Sequence, residues 1–281
     1  MHDEPICLVV LRKFFRSLKS GTEHLNYGRP LISTWAADAL QNRLWDLFAT
    51  AAPARGYRVS VLDLGCGHGT DLLNIRKELE SREARGQIPM PFNLELHGIE
   101  NYAPYARECR QAGILVRSLD IEKDRLGRPL FDVIVANQVL EHTKEIFWIC
   151  AEAVRLLRPG GRFLIGVPNL ASLHNRLLLL FGQQPTAQLS LSAHVRSFTR
   201  RDLQAFGEAG GFLRMKRYAG SNFYPFPPPL ARPLARVFPS LAWGLFIEFE
   251  RTHLTGDFLT ILKQIELETP YYGGPANPAR K

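Results

Sequence analysis

Residues 59–75, VSVLDLGCGHGTDLLNI, decide how the rest of the chain is read. Val59, Val61, Leu62 and Leu64 form the near-continuous apolar run of a buried parallel strand. Leu72, Leu73 and Ile75 then recur at helical spacing. Between them Gly65, Gly67 and Gly69 alternate, so the backbone can bend tightly and approach a ligand where a β-carbon would collide. The reading is strand, glycine turn, helix. Thr70 is expected to cap that helix with its hydroxyl, and Asp71 sits in its first turn. Free N–H groups at the helix start suit an anionic group, so a nucleotide-like ligand is expected here.

The dinucleotide fingerprint is G-x-G-x-x-G, with its last glycine letting the helix pack beneath a pyrophosphate. Here the order is Gly65-Cys66-Gly67-His68-Gly69-Thr70, and Thr70 takes the last place. With Asp63 ahead of the loop, D-L-G-C-G-H-G resembles the first motif of the class I S-adenosylmethionine-dependent methyltransferases. The resemblance implies that Gly65, Cys66, Gly67 and Gly69 hold the methionine end of that cofactor and that Asp63 orients its amino group.

The 281 residues suffice for one good core, or a core with a lid. A content of 46% hydrophobic and 22% charged residues is that of an ordinary globular protein. Thirty-five basic against 27 acidic residues give a net charge of +8, which favours acidic partners without choosing among them. Cys7, Cys66, Cys109 and Cys150 are widely spaced and form no C-x-x-C pair, so neither a zinc site nor a disulfide framework is expected. No apolar run reaches the roughly 18 residues a membrane span needs. The acidic start, Met1-His2-Asp3-Glu4, is unlike a signal peptide. The expectation is a cytoplasmic protein, with its oligomeric state left open.

Residues 6–20 put Ile6, Val10, Phe14 and Leu18 at helical spacing among Arg12, Lys13, Arg16 and Lys19. Such a basic amphipathic helix can lie on an anionic membrane or pack on its own domain. A helix is expected over 33–51, capped by Ser33 or Thr34. Tyr27, just before it, is the candidate for an N-terminal lid over the cofactor, as in the resembled family. A second strand over 93–98 runs into Glu100 and Asn101, both assigned to cofactor binding. An acidic residue at this strand end can accept hydrogen bonds from both ribose hydroxyls, the role expected of Glu100. A third strand over 114–119 leads to Asp120 and Ile121. By resemblance these approach the adenine amino group and stack on the ring. The charged turn 122–128 reads as solvated.

A fourth strand, 131–136, delivers Asn137, Gln138, Glu141 and His142 to the carboxyl edge, where open α/β sheets bind ligands. Asn137 and Gln138 are assigned to the cofactor. The stretch resembles the family's fourth motif in its ubiquinone and menaquinone biosynthesis branch, which carries Glu-His after a similar strand. Relatives that methylate adenine amino groups carry an Asn/Asp-Pro-Pro-aromatic tetrad instead, so a nucleic-acid acceptor is not expected. If the acceptor is a hydroxyl, His142 is the expected base, with Glu141 orienting it or binding substrate. Histidines and carboxylates are scattered along the sequence, and no metal site is expected.

A helix over 145–157 is expected to be stopped by Pro159-Gly160-Gly161, with a fifth strand over 162–167. An insertion over 172–197 shapes the substrate pocket in relatives. His194, near its end, reads as a structural histidine, with a site role as the alternative. Thr199 caps a following helix. Strands over 213–224 and 244–251 flank a stretch whose six prolines exclude a long regular helix.

The fold expected is a doubly wound, Rossmann-like α/β sheet of seven mostly parallel strands with an antiparallel strand 7. The resemblance implies the order 3-2-1-4-5-7-6. The organisation is a helical lid segment over 1–52, the cofactor-binding domain over 53–252 and a tail over 253–281. The function implied is methyl transfer from S-adenosyl-L-methionine to a small-molecule or lipid-linked acceptor, at an oxygen. The alternatives are a non-catalytic cofactor-binding partner subunit and an NAD-dependent oxidoreductase.

Overall fold

A computed structural model of the chain describes residues 28–50, 56–89, 91–127, 130–264 and 270–274. The basic stretch 6–20 and Tyr27 lie outside the described residues.

The chain opens with α1 (Arg29–Thr50) and then alternates: β1 (Tyr57–Leu64), α2 (Thr70–Ala84), β2 (Phe92–Ile99), α3 (Ala103–Gln111), β3 (Leu115–Arg117). After β4 (Phe131–Asn137) come α4 (Ile146–Leu156), β5 (Leu157–Pro168), α5 (Leu173–Leu180), α6 (Arg200–Glu208), β6 (Leu213–Ser221), α7 (Pro228–Val237) and β7 (Gly244–Arg251). One seven-stranded sheet results, in the order β3-β2-β1-β4-β5-β7-β6. β1 pairs in parallel with β2 and β4, and β7 runs antiparallel to both β5 and β6. This is the expected doubly wound order.

The central strands are apolar on both faces because both are covered. On one side Ile32, Leu40 and Leu44 of α1 and Leu72, Ile75 and Leu79 of α2 pack on Val59, Val61, Val133 and Val135. On the other, Ile149 and Val154 of α4 and Leu203 of α6 meet Leu62, Ile134, Phe163 and Ile165.

Several local expectations are corrected. Helix α1 starts at Arg29, four residues before the expected Ser33. Pro30 suits a helix's first turn, and Ser33 is buried inside the helix with its Oγ donating to the Pro30 carbonyl at 3.3 Å. Gly28, just ahead, lies so close to the Phe246 ring that a β-carbon there would be 1.8 Å from it. Thr70 opens α2 but does not cap it: Gly69, at φ 74°, is the cap residue and no side-chain bond is made. Pro159-Gly160-Gly161 does not stop α4, which ends at Leu156. Phe131 pairs with Leu157 but Val133 with Arg162, so the residues between bulge from β5. Strand β6 ends at Ser221, short of 224. The turn after β3 is also tied down. Glu122 Oε1 accepts from the Lys144 and Glu145 amides at 2.6 and 2.9 Å, and Arg125 reaches the buried Glu152 at 2.7 Å.

Among the described residues, no helix is long and apolar enough to cross a membrane.

Candidate active site

The carboxyl ends of β1, β2 and β4 converge on the glycine turn. Gly65, Gly67 and Gly69 all have positive φ, at 69°, 53° and 74°, a conformation costly for residues with a β-carbon. Their surroundings differ. A β-carbon on Gly69 would sit 2.5 Å from Ile114 Cδ1, so the close packing there adds to the demand its positive φ makes for glycine. One on Gly67 would meet nothing within 4 Å, which leaves the middle of the turn clear for a close-lying ligand. The Gly67 amide donates to Glu100 Oε2 at 2.9 Å and the Tyr102 amide to Oε1 at 2.7 Å. Main chain thus fixes Glu100 at the end of β2 with lone pairs to spare on both oxygens.

Asp63 closes β1 and is only 3% exposed. Burial holds its carboxyl well above the usual range, the neighbouring Asp71 adds to the rise, Arg29 opposes it and Glu100 adds again. Asp71, in the first turn of α2, is raised by burial and partly relieved by Arg29 and Asn137. Asn137 Nδ2 donates to Asp71 Oδ2 at 2.9 Å and Arg29 Nη1 to Oδ1 at 3.4 Å. This join ties β4 and α1 to the glycine helix. Sequence reading placed Asn137 here but gave Asp71 and Arg29 no role. The available signal was an acidic residue two places after the last glycine.

The charge pattern is informative. Asp63, Asp71 and Glu100 gather carboxyl groups around a turn whose helix start alone would attract an anion. A pyrophosphate would face them with like charge. An ammonium group beside the acids, with its carboxylate toward the helix N–H groups, meets both signs correctly. The residues present therefore fit the aminoacyl end and ribose of S-adenosylmethionine.

The other expected cofactor residues are less uniform. Cys66 is buried, with its sulfur 4.0 Å from that of Cys109, so its main chain is what borders the turn. Gln138 directly follows Asn137 at φ 57°, an unusual conformation for its type, and its amide donates to the Gly166 carbonyl at 2.8 Å. Asp120 is engaged by its own turn: Oδ1 accepts the Glu122 amide at 2.9 Å, and Lys123 is 3.4 Å from Oδ2. Ile121 packs partly buried against the core, and Asn101 is exposed.

Glu141 and His142 lie on the single turn Leu140–His142 after β4. Burial pushes the Glu141 carboxyl up to about 7, opposed only by its own main-chain amide. The His142 pKa is lowered, first by burial, against the Ala193 carbonyl, with His194 lowering it further. His142 Nε2 is 3.9 Å from Glu141 Oε1, and the His142 and His194 rings are 4.7 Å apart between centroids. Residues scattered in sequence are thus gathered by the return of the 172–197 insertion.

Fold and turn together define a doubly wound sheet built to take an aminoacyl nucleoside at its carboxyl edge. A family model described as a methyltransferase domain matches residues 35–213. The chain belongs to this family of S-adenosylmethionine-dependent methyltransferases, not to the dinucleotide oxidoreductases. An uncharacterised 37.1 kDa protein of transposon TN4556 from Streptomyces fradiae is 30% identical over 145 residues, which is 46% of this chain and 39% of that protein. The chain thus spans well under half the length of this curated relative. Among solved structures, a methyltransferase of Thermotoga maritima, described as a possible histamine N-methyltransferase, shares 14% identity over 85% of this chain and 96% of that one, with a TM-score of 0.47. The magnesium protoporphyrin IX methyltransferase of Synechocystis, with S-adenosylhomocysteine bound, shares 14% over 76% and 84%, with a TM-score of 0.44. The fold assignment rests on the strand order, not on these likenesses.

Proposed function

We propose that the chain transfers the methyl group of S-adenosylmethionine to a hydroxyl oxygen of a small-molecule or lipid-linked acceptor. The observation that carries the reading is the pairing of two sites on one sheet edge. An acidic glycine turn suits the cofactor, and on the same sheet edge Glu141 and His142 can take up a proton. Bound S-adenosylmethionine would supply an electrophilic methyl group. The chain's part is then to align and to exclude water, which accounts for several kcal/mol of barrier, up to roughly 7 to 11 in favourable cases. Asp63 would hold the amino group and Glu100 the ribose hydroxyls. Asn137 would steady Asp71 and the turn, and His142, neutral because burial lowers its pKa, would accept the acceptor's proton.

Exposed apolar side chains on the insertion and α7, among them Leu179, Leu180, Phe181, Leu230 and Phe238, support an acceptor with an apolar portion. The absence of the Pro-Pro tetrad after β4 supports an acceptor other than a nucleobase.

The test is incubation of the protein with methyl-labelled cofactor and fractionated cell extract. Label should enter an organic-soluble or small polar product as an alkali-stable ether. Label in nucleic acid or protein, or in no fraction, would contradict the proposal.

A further inference from the structure

Glu141 presents an unresolved charge problem. It is 1% exposed, and among the described residues neither carboxylate oxygen has a hydrogen-bond partner from another residue. Buried polar groups are almost always paired, and an uncompensated buried carboxylate is costly. Two imidazoles stand beside it. The Glu141, His142 and His194 donor atoms all lie within 4.8 Å of one another, and the His142 Nε2 to Glu141 Oε1 separation is 3.9 Å.

The surrounding hydrogen bonds hold these groups together. The Glu141 carbonyl accepts from the amides of Val195 and Arg196 at 2.8 and 3.3 Å. Arg196 in turn donates to the Thr143 and Lys144 carbonyls at 3.0 and 2.7 Å, so residues 193–196 are stitched onto the turn that carries Glu141 and His142. His142 Nδ1 lies 3.2 Å from the Ala193 carbonyl oxygen. A carbonyl only accepts, so Nδ1 carries the proton and Nε2 is left with its lone pair toward Glu141. A ring nitrogen fixed by a main-chain carbonyl, with the other free to coordinate, is the usual support of a metal-bound histidine.

We propose that Glu141, His142 and His194 form a binding site for a divalent transition-metal ion. Two imidazoles and one carboxylate favour ions such as Mn²⁺, Fe²⁺ or Zn²⁺ over Mg²⁺ and Ca²⁺, which prefer all-oxygen sets. Ligand distances of about 2.0 to 2.2 Å require donors about 3 to 3.5 Å apart, a modest side-chain closure from the present spacing. Three protein donors leave coordination positions open, as in metal sites that bind substrate.

The existence of the site does not depend on the methyl-transfer reading; its use does. On that reading the ion would hold the acceptor hydroxyl and ease loss of its proton. The acceptor oxygen gains the methyl carbon, its proton passes to a solvent water molecule, and the carbon–sulfur electron pair leaves with S-adenosylhomocysteine.

The test is titration of chelator-treated protein with Mn²⁺, followed by loss of the free-ion electron paramagnetic resonance signal, without acceptor or cofactor. One saturable site per chain, displaced by Zn²⁺, is expected. Glu141→Gln, which keeps volume and removes charge, and His194→Ala, at a half-buried position, should each weaken binding by at least about tenfold. His253→Ala, on the exposed stretch after β7, should leave it unchanged. S-adenosylhomocysteine thermal shifts on the same variants report folding. Absence of saturable Mn²⁺ binding by the wild type, or unchanged binding by a folded Glu141→Gln or His194→Ala protein, overturns the site. Absence of any S-adenosylhomocysteine shift in the wild type overturns the methyl-transfer reading and leaves the metal result standing.

Discussion

Asp63 is costly to the free protein and, on the proposed function, is placed to hold the cofactor's amino group. Buried at the end of β1 beside Asp71 and Glu100, its carboxyl is raised well above the ordinary range. It therefore holds its proton more tightly in the folded chain than in the unfolded one. On the proposed function an arriving ammonium group would favour the ionised form and lower that pKa, so binding would release a proton. The sign follows: affinity for S-adenosylhomocysteine should rise with pH through the carboxyl's raised range and level off above it. Calorimetry in buffers of different ionisation heat should show the proton release. Asp63→Asn should bind more weakly and lose both the release and the slope. A slope unchanged in Asp63→Asn would remove Asp63 from the amino-group site.

Among the elements, the insertion containing α5 is held by a buried histidine. His174 Nδ1 is 3.2 Å from Ser172 Oγ, and Nε2 is 3.0 Å from Thr186 Oγ1, joining the residue before α5 to the turn after it. Burial lowers its pKa from 6.5 to about 4. The folded chain thus binds fewer protons than the unfolded chain between those values, and stability falls as pH drops through that window. The full effect is on the order of 3 kcal/mol. Thermal unfolding of wild type should show this acid loss between pH 6.5 and 4, and His174→Gln should show a flatter profile there. Equal slopes in the two proteins would show that the insertion is not anchored through a neutral imidazole.

The elements also explain what could be read from sequence. Strand β1, the glycine turn and α2 announce themselves because periodicity and left-handed glycines are local properties of consecutive residues. Thr199 is legible as a cap for the same reason, and it accepts from the Asp202 amide at 3.3 Å. Thr70 failed as a cap because Gly69 already turns the chain into the helix. Glu122 reads from sequence as part of a solvated turn because the amides it caps lie more than twenty residues away. Long-range partners likewise hid the join of Arg29 to Asp71 and the gathering of His194 with Glu141. Neither separation carries a periodic signal.

For the whole molecule, the sheet order puts two kinds of chemistry on one edge. The strands whose carboxyl ends carry Asp63, Glu100 and Asn137 are neighbours in the sheet, so residues from three parts of the chain meet around one turn. Beyond them, the crossover from β5 carries the insertion back to the turn after β4, where Val195 and Arg196 lock onto Glu141. On the proposed function, cofactor end and acceptor end would be set by different segments, so the insertion could change without disturbing the glycine turn.

Isothermal titration of S-adenosylhomocysteine into the wild-type protein and into Gly67→Val tests this arrangement most directly. Gly67 stands at φ 53° with open space before it, so a branched side chain would strain the turn and fill the approach. The wild type should bind one S-adenosylhomocysteine per chain, and Gly67→Val should lose at least about tenfold in affinity, with neither protein binding reduced nicotinamide dinucleotide. Equal affinities in the two proteins, or saturation by the dinucleotide without response to S-adenosylhomocysteine, would contradict the account.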